Sequence, residues 1–217
     1  MKRFFASFCA LFLLLFLLPS LALTSGQAPL LQGQDAGEET YYLVEDAETG
    51  EVMKLSPLTY IKGVVAAEMP LSYHTEALKA QAVAAHSYAL YRISQKLSGG
   101  DGQGEAYLST DPAECQGYLD EEGRREQWGS QFDAYEAKLT EAVSAVIDKV
   151  LVYDGEPVMA MFHAVSGGKT EDAANLFGSP VSYLVPADSA SDELSPSFLE
   201  EKTFTSAQMK ELLDPLL

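Results

Sequence analysis

The stretch from Thr75 to Leu97 contains neither glycine nor proline and is dominated by alanine, so it commits the chain to one long helix. Thr75 or Ser72 can cap its start. Ala77, Leu78, Ala82, Ala85, Ala89 and Ile93 form a small-residue face that lets other elements pack close. Lys79 and His86, seven residues apart, fall on one face of the same helix.

What flanks this helix sets the organisation. Lys2 and Arg3 precede an uninterrupted apolar and small-residue run from Phe4 to Leu18, closed by Pro19 and Ser20, the pattern of an export leader. Residues 1–23 therefore read as a signal peptide or a membrane anchor. Ser20-Leu21-Ala22 offers a cleavage site, whereas Phe4–Leu23 is just long enough to span a membrane with its positive end inside. Residues 24–40, rich in Gly, Gln, Pro, Asp and Glu, read as a linker. The remaining residues, 41–217, read as one domain of the α+β class, a helical portion packed on β-hairpins. The 14 Lys and Arg against 32 Asp and Glu give a formal charge of -18, which argues against nucleic acid as a partner. Cys9 lies in the apolar run, so Cys115 is the single thiol of the exported part and has no intramolecular partner for a disulfide.

Within the domain the period alternates between strand and helix. Tyr41–Val44 and Glu51–Leu55 predict a hairpin around Asp46–Gly50. Ser56-Pro57 predicts an N-cap and first turn, and Ile61, Val64, Val65 and Ala67/Glu68 follow at helical spacing until Pro70. Ser98–Gly104 reads as a glycine-rich loop, Ser109–Tyr118 as irregular with some strand, Asp120–Trp128 as a charged stretch, and Phe132–Val146 as a helix. Val150–Tyr153 and Pro157–His163 flank Asp154-Gly155, a strong hairpin signal, and Ser166-Gly167-Gly168 closes the second strand. A polar loop over 187–196 and an amphipathic helix over Ser206–Leu213 complete the chain.

Much chemistry is excluded by subtraction. His74, His86 and His163 are the only histidines and no His-Glu-x-x-His pattern is present, so a closed structural zinc site is not supported and a catalytic one is a weak pattern. No phosphate-binding glycine loop follows a strand, and no Gly-x-Ser-x-Gly elbow exists. Ser166 or Ser109 beside His163 would be the remaining nucleophile and base, a weak pattern. Acid/base work by a carboxylate is what is left.

The run Tyr60-Ile-Lys-Gly-Val-Val-Ala-Ala-Glu68-Met-Pro70, followed by Glu76-Ala-Leu-Lys79-Ala-Gln81-Ala-Val-Ala-Ala-His86-Ser-Tyr88, resembles the signature of the stage II sporulation protein D family, whose relatives include the amidase enhancer LytB. Val150-Leu-Val-Tyr-Asp-Gly155 and Phe162-His163-Ala-Val-Ser166-Gly-Gly168-Lys-Thr170-Glu171 resemble that family's second block. The resemblance covers about Tyr41–Leu213. It implies a membrane-anchored lytic transglycosylase that cuts the glycan strands of peptidoglycan, with Glu68 as catalytic acid/base; no cofactor is expected. It also implies work beside a membrane-bound cell-wall amidase.

Lytic transglycosylation suits a single carboxyl group. The acid gives its proton to the leaving oxygen; once ionised, it takes a proton from the sugar's own C6 hydroxyl as that oxygen closes on C1. Such an acid profits from apolar surroundings, and Glu68 lies among Val64, Val65, Ala66, Ala67, Met69 and Pro70, so partial burial is expected. Lys79 reads equally as a contact for substrate oxygens and as a surface lysine paired with Glu76. His163, Ser166 and Thr170 are expected to line the groove. Gln116 and Tyr118 match a family Gln-x-Tyr, in which a sugar would stack on the ring.

Three departures from the family pattern matter. His86 stands where arginine is usual, so any clamp there loses its fork of donors. Where some clostridial relatives hold a metal with one His and two Cys, this chain has Gln103, Ser109 and Cys115, so no metal is expected. Family domains also continue past the point corresponding to Leu217, so the domain reads as shortened. Two functions therefore stand side by side: an enzyme that cleaves glycan, and a noncatalytic wall-binding protein that stimulates a partner amidase. Either places the chain outside the cytoplasm, at the membrane face or in the wall. Its acidity would repel anionic wall polymers, so the N-terminal segment or a protein partner must locate it.

Overall fold

The computed structural model describes residues 40–99 and 106–214. The leader over 1–23, nearly all of the 24–40 linker, Gln103 and most of the glycine-rich loop lie outside the described residues. Among the described residues no helix is long and apolar enough to cross a membrane. The chain divides into two compact units, the first ending at Met161 and the second beginning at Phe162.

The first unit has the α+β architecture expected. Strand β1 (Tyr42–Glu45) pairs antiparallel with β2 (Val52–Leu55), Tyr42 opposite Leu55 and Val44 opposite Met53. The turn between them is closed by Asp46, whose Oδ1 accepts from the Glu48 and Thr49 amides, and by Gly50 at φ +72°. On its other edge β1 takes the two-residue strand β3 (Leu108–Ser109) in parallel. Alternate β1 residues Tyr42 and Val44 face the core while Glu45 is exposed.

Helix α1 (Pro57–Glu68) starts where the sequence places it. Ser56 Oγ accepts from the Thr59 amide and Pro57 occupies the first turn. It ends at Met69, whose extended backbone is what a residue before proline adopts. Helix α2 (Thr75–Ser98) is capped by neither Ser72 nor Thr75: His74 Nδ1 accepts from the Glu76 amide at 3.2 Å. Asp120–Trp128, read only as a charged stretch, folds as helix α3 (Glu121–Trp128), with Asp120 as N-cap and two acids in its first turn. Helix α4 (Phe132–Ser144) follows a 3₁₀ turn.

Helices α1, α2 and α4 enclose Ile61, Val64, Val65, Leu78, Leu139 and Val143, all fully buried. A polar clasp joins α1, α3 and α4: Glu136 accepts from Lys62 at 2.5 Å and, through both oxygens, from Arg124 at 3.0 and 3.2 Å. Lys138 Nζ donates to the carbonyls of Leu71 and Tyr73, pinning the loop that follows α1. The second hairpin turns at Asp154 (φ 51°) and Gly155 (φ 85°) as predicted. Its strands β4 (Val152–Tyr153) and β5 (Glu156–Pro157) are shorter than expected, the pairing continuing only as one hydrogen bond from the Val158 amide to the Leu151 carbonyl at 3.1 Å. Leu151 N–H donates to Ser87 Oγ at 2.8 Å and so ties this hairpin to α2.

The second unit contains helix α5 (Ala173–Phe177), capped by Asp172, and helix α6 (Ser206–Leu213), closed at its start by a reciprocal Thr205–Gln208 capping box. A 3₁₀ turn over Ala190–Leu194 stands within the stretch read as a polar loop. An antiparallel bridge joins Lys169 and Asp188.

Candidate active site

Glu68 is the last residue of α1. The partial burial expected from its apolar neighbours is not what the structure shows: Val65 and Ala66 turn into the core, whereas Ala67 and Glu68 are exposed. The helical period explains it, because neighbours in sequence lie 100° apart around the axis. The side chain is nonetheless held. One carboxylate oxygen, Oε1, accepts a hydrogen bond from the Gly117 amide at 2.9 Å.

That contact belongs to a strap, residues 116–119, laid across α1 and α2. Gln116 is buried and donates to the Ala85 carbonyl at 3.3 Å, Gly117 reaches Glu68, and the Leu119 amide donates to the Gly63 carbonyl at 3.1 Å. Tyr118 stacks on Tyr60 with ring centroids 5.8 Å apart and planes 11° apart. Two glycines permit this approach. A Cβ on Gly63 would stand 2.1 Å from the Tyr118 ring, and one on Gly117 would stand 3.0 Å from Glu68 Oε1. Sequence reading found Gln116 and Tyr118 but passed over Gly63 and Gly117; the signal was the small residue inside Gln-x-Tyr.

Two of the expected substrate contacts are core residues instead. Gln116 is only 3% exposed, and it lies beside the Tyr60 hydroxyl without closing a hydrogen bond of ordinary geometry. His86 is 8% exposed, and its Nε2 shares a 2.9 Å hydrogen bond with the Tyr42 hydroxyl. Burial pushes the His86 ring below the usual imidazole pKa, with a smaller opposing contribution from the Lys149 backbone. The middle of α2 runs beneath β1, which is why this position is internal although Lys79, one face-repeat earlier, is half-exposed. Lys79 pairs with Glu76 at 2.7 Å, and this hydrogen bond and charge hold the Glu76 carboxyl below its ordinary range.

Tyr118 has a second surroundings to its ring. With Leu119, Met53, Asp46, Asp111 and Asp120 it lines a cleft of about 380 Å³, whose walls carry carboxylates and no cation. Such a lining suits neutral, hydroxyl-rich groups and disfavours anions. Glu68 is not part of it. Cys115 is a half-buried free thiol, and the Ser109 hydroxyl accepts from the Asp111 amide. Among the described residues no three His, Cys, Asp or Glu side chains come together as a metal site.

His163, Ser166 and Thr170 fall in the second unit. His163 is exposed. Ser166 Oγ donates to Asp192 Oδ2 at 2.6 Å, so its proton goes to a carboxylate rather than to the imidazole of a nucleophile and base pair. Thr170 Oγ1 accepts from the Ala187 amide at 2.8 Å. Asp192 is the second-unit residue that sequence reading missed; no local pattern singles it out.

Comparison with known proteins settles the ancestry. The family model described as stage II sporulation protein matches residues 45–153. Stage II sporulation protein D of Bacillus subtilis (strain 168) is 31% identical over 237 aligned positions, covering 98% of this chain and 67% of that protein. The chain belongs to the stage II sporulation protein D family. The protein of that name from Bacillus amyloliquefaciens is 33% identical over 154 positions, 71% of this chain and 44% of the relative. The amidase enhancer of Bacillus subtilis (strain 168) is 30% identical over 132 positions, 61% of this chain and 15% of the relative. The chain thus spans about two thirds of the first sporulation protein and under half of the second. The family segment holds Glu68, Lys79, His86, Gln116 and Tyr118, all in the first unit.

Proposed function

We propose that this chain is a lytic transglycosylase of peptidoglycan, with Glu68 as its acid/base residue. The observation that carries the reading is the Glu68 carboxylate, open to solvent yet fixed on one oxygen by the Gly117 amide. A group meant only to solvate a helix end needs no such clamp. With Oε1 engaged by the Gly117 amide, Oε2 is the oxygen assigned here to proton transfer. Protonated, the carboxyl gives its proton to the glycosidic oxygen as the bond from muramic acid C1 breaks. The C6 hydroxyl oxygen of the same sugar then closes on C1 and its proton passes to the carboxylate, which restores the acid without consuming water.

In this reading Tyr118 offers a partly exposed ring at the strap, Lys79 a cation near the start of α2, and His163, Ser166 and Thr170 the polar loop of the second unit. The protein acts outside the cytoplasm, carried by the leader over 1–23 as an anchor or secreted by it. Residues 24–40 serve as linker and the remainder as the wall-acting domain, beside a cell-wall amidase.

Incubation with peptide-stripped glycan strands, read by mass spectrometry, is expected to give fragments with 1,6-anhydro ends, and Glu68→Gln is expected to give none. Loss of a positioned acid/base lowers rate by about a hundred- to ten-thousand-fold. Equal product from both proteins would sink the assignment. A second reading, stimulation of a partner amidase without cleavage, draws on the relative named amidase enhancer. It predicts amidase stimulation by wild type and Glu68→Gln alike.

A further inference from the structure

Gly117 supplies the amide that holds Glu68, yet nothing at Gly117 itself aims it. The residue has no side chain, and its N–H points wherever the peptide plane it shares with Gln116 is turned. The margin is small. The amide nitrogen stands 2.9 Å from Glu68 Oε1, and a Cβ on Gly117 would stand 3.3 Å from the Ala67 Cβ, so the strap lies directly against the end of α1. An outward drift of about 1 Å would carry the pair beyond hydrogen-bond range.

The far end of the strap is held by backbone and by a buried cation. The Leu119 amide donates to the Gly63 carbonyl at 3.1 Å, and the Leu119 carbonyl accepts from Arg124 Nη1 at 2.8 Å. The near end hangs on the Gln116 side chain, which is 3% exposed and donates through Nε2 to the Ala85 carbonyl of α2 at 3.3 Å. Stability alone does not ask for an amide there. Gln116 Oε1 and the Tyr60 hydroxyl are buried with no hydrogen-bond partner among the described residues. An unpaired buried acceptor costs free energy, whereas an apolar side chain of the same length would fill the slot without that cost. The Ala85 carbonyl lies in the middle of α2 and serves that helix's own hydrogen-bond ladder, so it does not need the glutamine. What glutamine adds is direction: its donor sets how deep the side chain sits, and with it where the next peptide plane points.

We infer that Gln116 is a positioning residue, whose buried amide holds the strap to α2 so that the Gly117 N–H meets Glu68 Oε1, in place of the sugar contact that the family resemblance implies. The inference deepens the transglycosylase reading given under Proposed function and rests on it.

The test is steady-state cleavage of soluble, peptide-stripped glycan strands by the full chain, alongside thermal unfolding and hydrogen exchange at the Gly117 amide. Gln116→Met keeps the length of the side chain and removes the donor. It is expected to lower kcat about tenfold with KM unchanged and Tm not lowered, and to speed Gly117 exchange about tenfold. Gln116→Asn keeps the amide but is one methylene shorter, so it reaches Ala85 only by drawing the strap off Glu68; its kcat should fall to a similar degree. A sugar contact would raise KM instead, and a packing role would lower Tm and spare kcat in the folded protein. Because Gln116 acts through Gly117, adding Gln116→Met to Gly117→Ala should cost little further kcat. Wild-type kinetics from Gln116→Met, a rise in KM alone, or full multiplication of the two losses in the double variant overturns the inference and leaves the transglycosylase reading standing. If wild type forms no anhydro ends, that reading falls and the Gly117 amide decides: faster exchange in Gln116→Met keeps the positioning role, and unchanged exchange removes it.

Discussion

In the transglycosylase proposed above, the chemistry at Glu68 depends on a neighbour that has no side chain. Gly117 can hold the carboxylate because nothing projects from its Cα, and a methyl group there would press on Glu68 Oε1 at 3.0 Å. Gly117→Ala is therefore expected to lower kcat/KM about tenfold, roughly 1.4 kcal/mol of transition-state stabilisation, with Tm changed little. Steady-state release of anhydro fragments checks it, and wild-type kinetics from the variant would show that the Gly117 clamp is idle. His86 offers a second single-residue prediction. Its ring is buried and its pKa lies below the usual 6.5, so the unfolded chain binds a proton that the folded chain resists. Stability from this group is complete above pH 6.5 and falls as pH drops through that value, by at most about 1.4 kcal/mol per pH unit. Urea unfolding at pH 7.5, 6.5 and 5.5 should show this loss in wild type and a flatter profile in His86→Gln; parallel profiles would mean that another group sets the slope.

The strap over 116–119 shows how one element makes another's sequence sensible. Gly63 in α1 is obligatory because the Tyr118 ring occupies the space where its side chain would be. Gly63→Ala should destabilise the protein by about 1–3 kcal/mol through overpacking. In Tyr118→Ala that space is vacant, so the double variant should cost clearly less than the sum of the two single changes. Strict additivity in chemical denaturation would place the ring elsewhere in solution. None of this could be read along the chain, since Gly63 and Tyr118 are 55 positions apart and glycine in a helix carries no label for what leans on it. Local chemistry was legible: Ser56-Pro57 opened α1 and Asp154-Gly155 turned the second hairpin where expected. The α3 helix was missed because its charged surface hides its apolar anchor, Trp128, and a buried Arg124. Glu68 was legible as a residue but not as an environment. Apolar neighbours in sequence point around the helix in all directions, and only the packed core decides which side is covered.

At the scale of the first unit, one carboxylate is structural. Glu136 sits between Lys62 and Arg124 and so joins α1, α3 and α4. Partial burial pushes its carboxyl upward, but the hydrogen bonds from Arg124 and Lys62 outweigh that and leave it below 4.5. Arg124, 3% exposed, has the Leu119 carbonyl as its one further acceptor among the described residues, so removing the charge at 136 strands a buried cation. Glu136→Gln should cost about 3 kcal/mol at neutral pH, of order 10 °C in Tm. The pH dependence distinguishes this from simple loss of packing. A carboxyl whose folded pKa is depressed contributes stability that is present above its unfolded value and lost as pH falls through the folded one. The gap between wild type and variant should therefore stay constant from pH 7 to about 5 and close below 4.5, as wild type loses the charge that the variant never had. Comparing the two proteins at each pH cancels the changing self-repulsion of a chain with formal charge -18, which acts on both alike. A gap that persists unchanged at pH 3 would mean that shape, not charge, is what Glu136 contributes to the clasp.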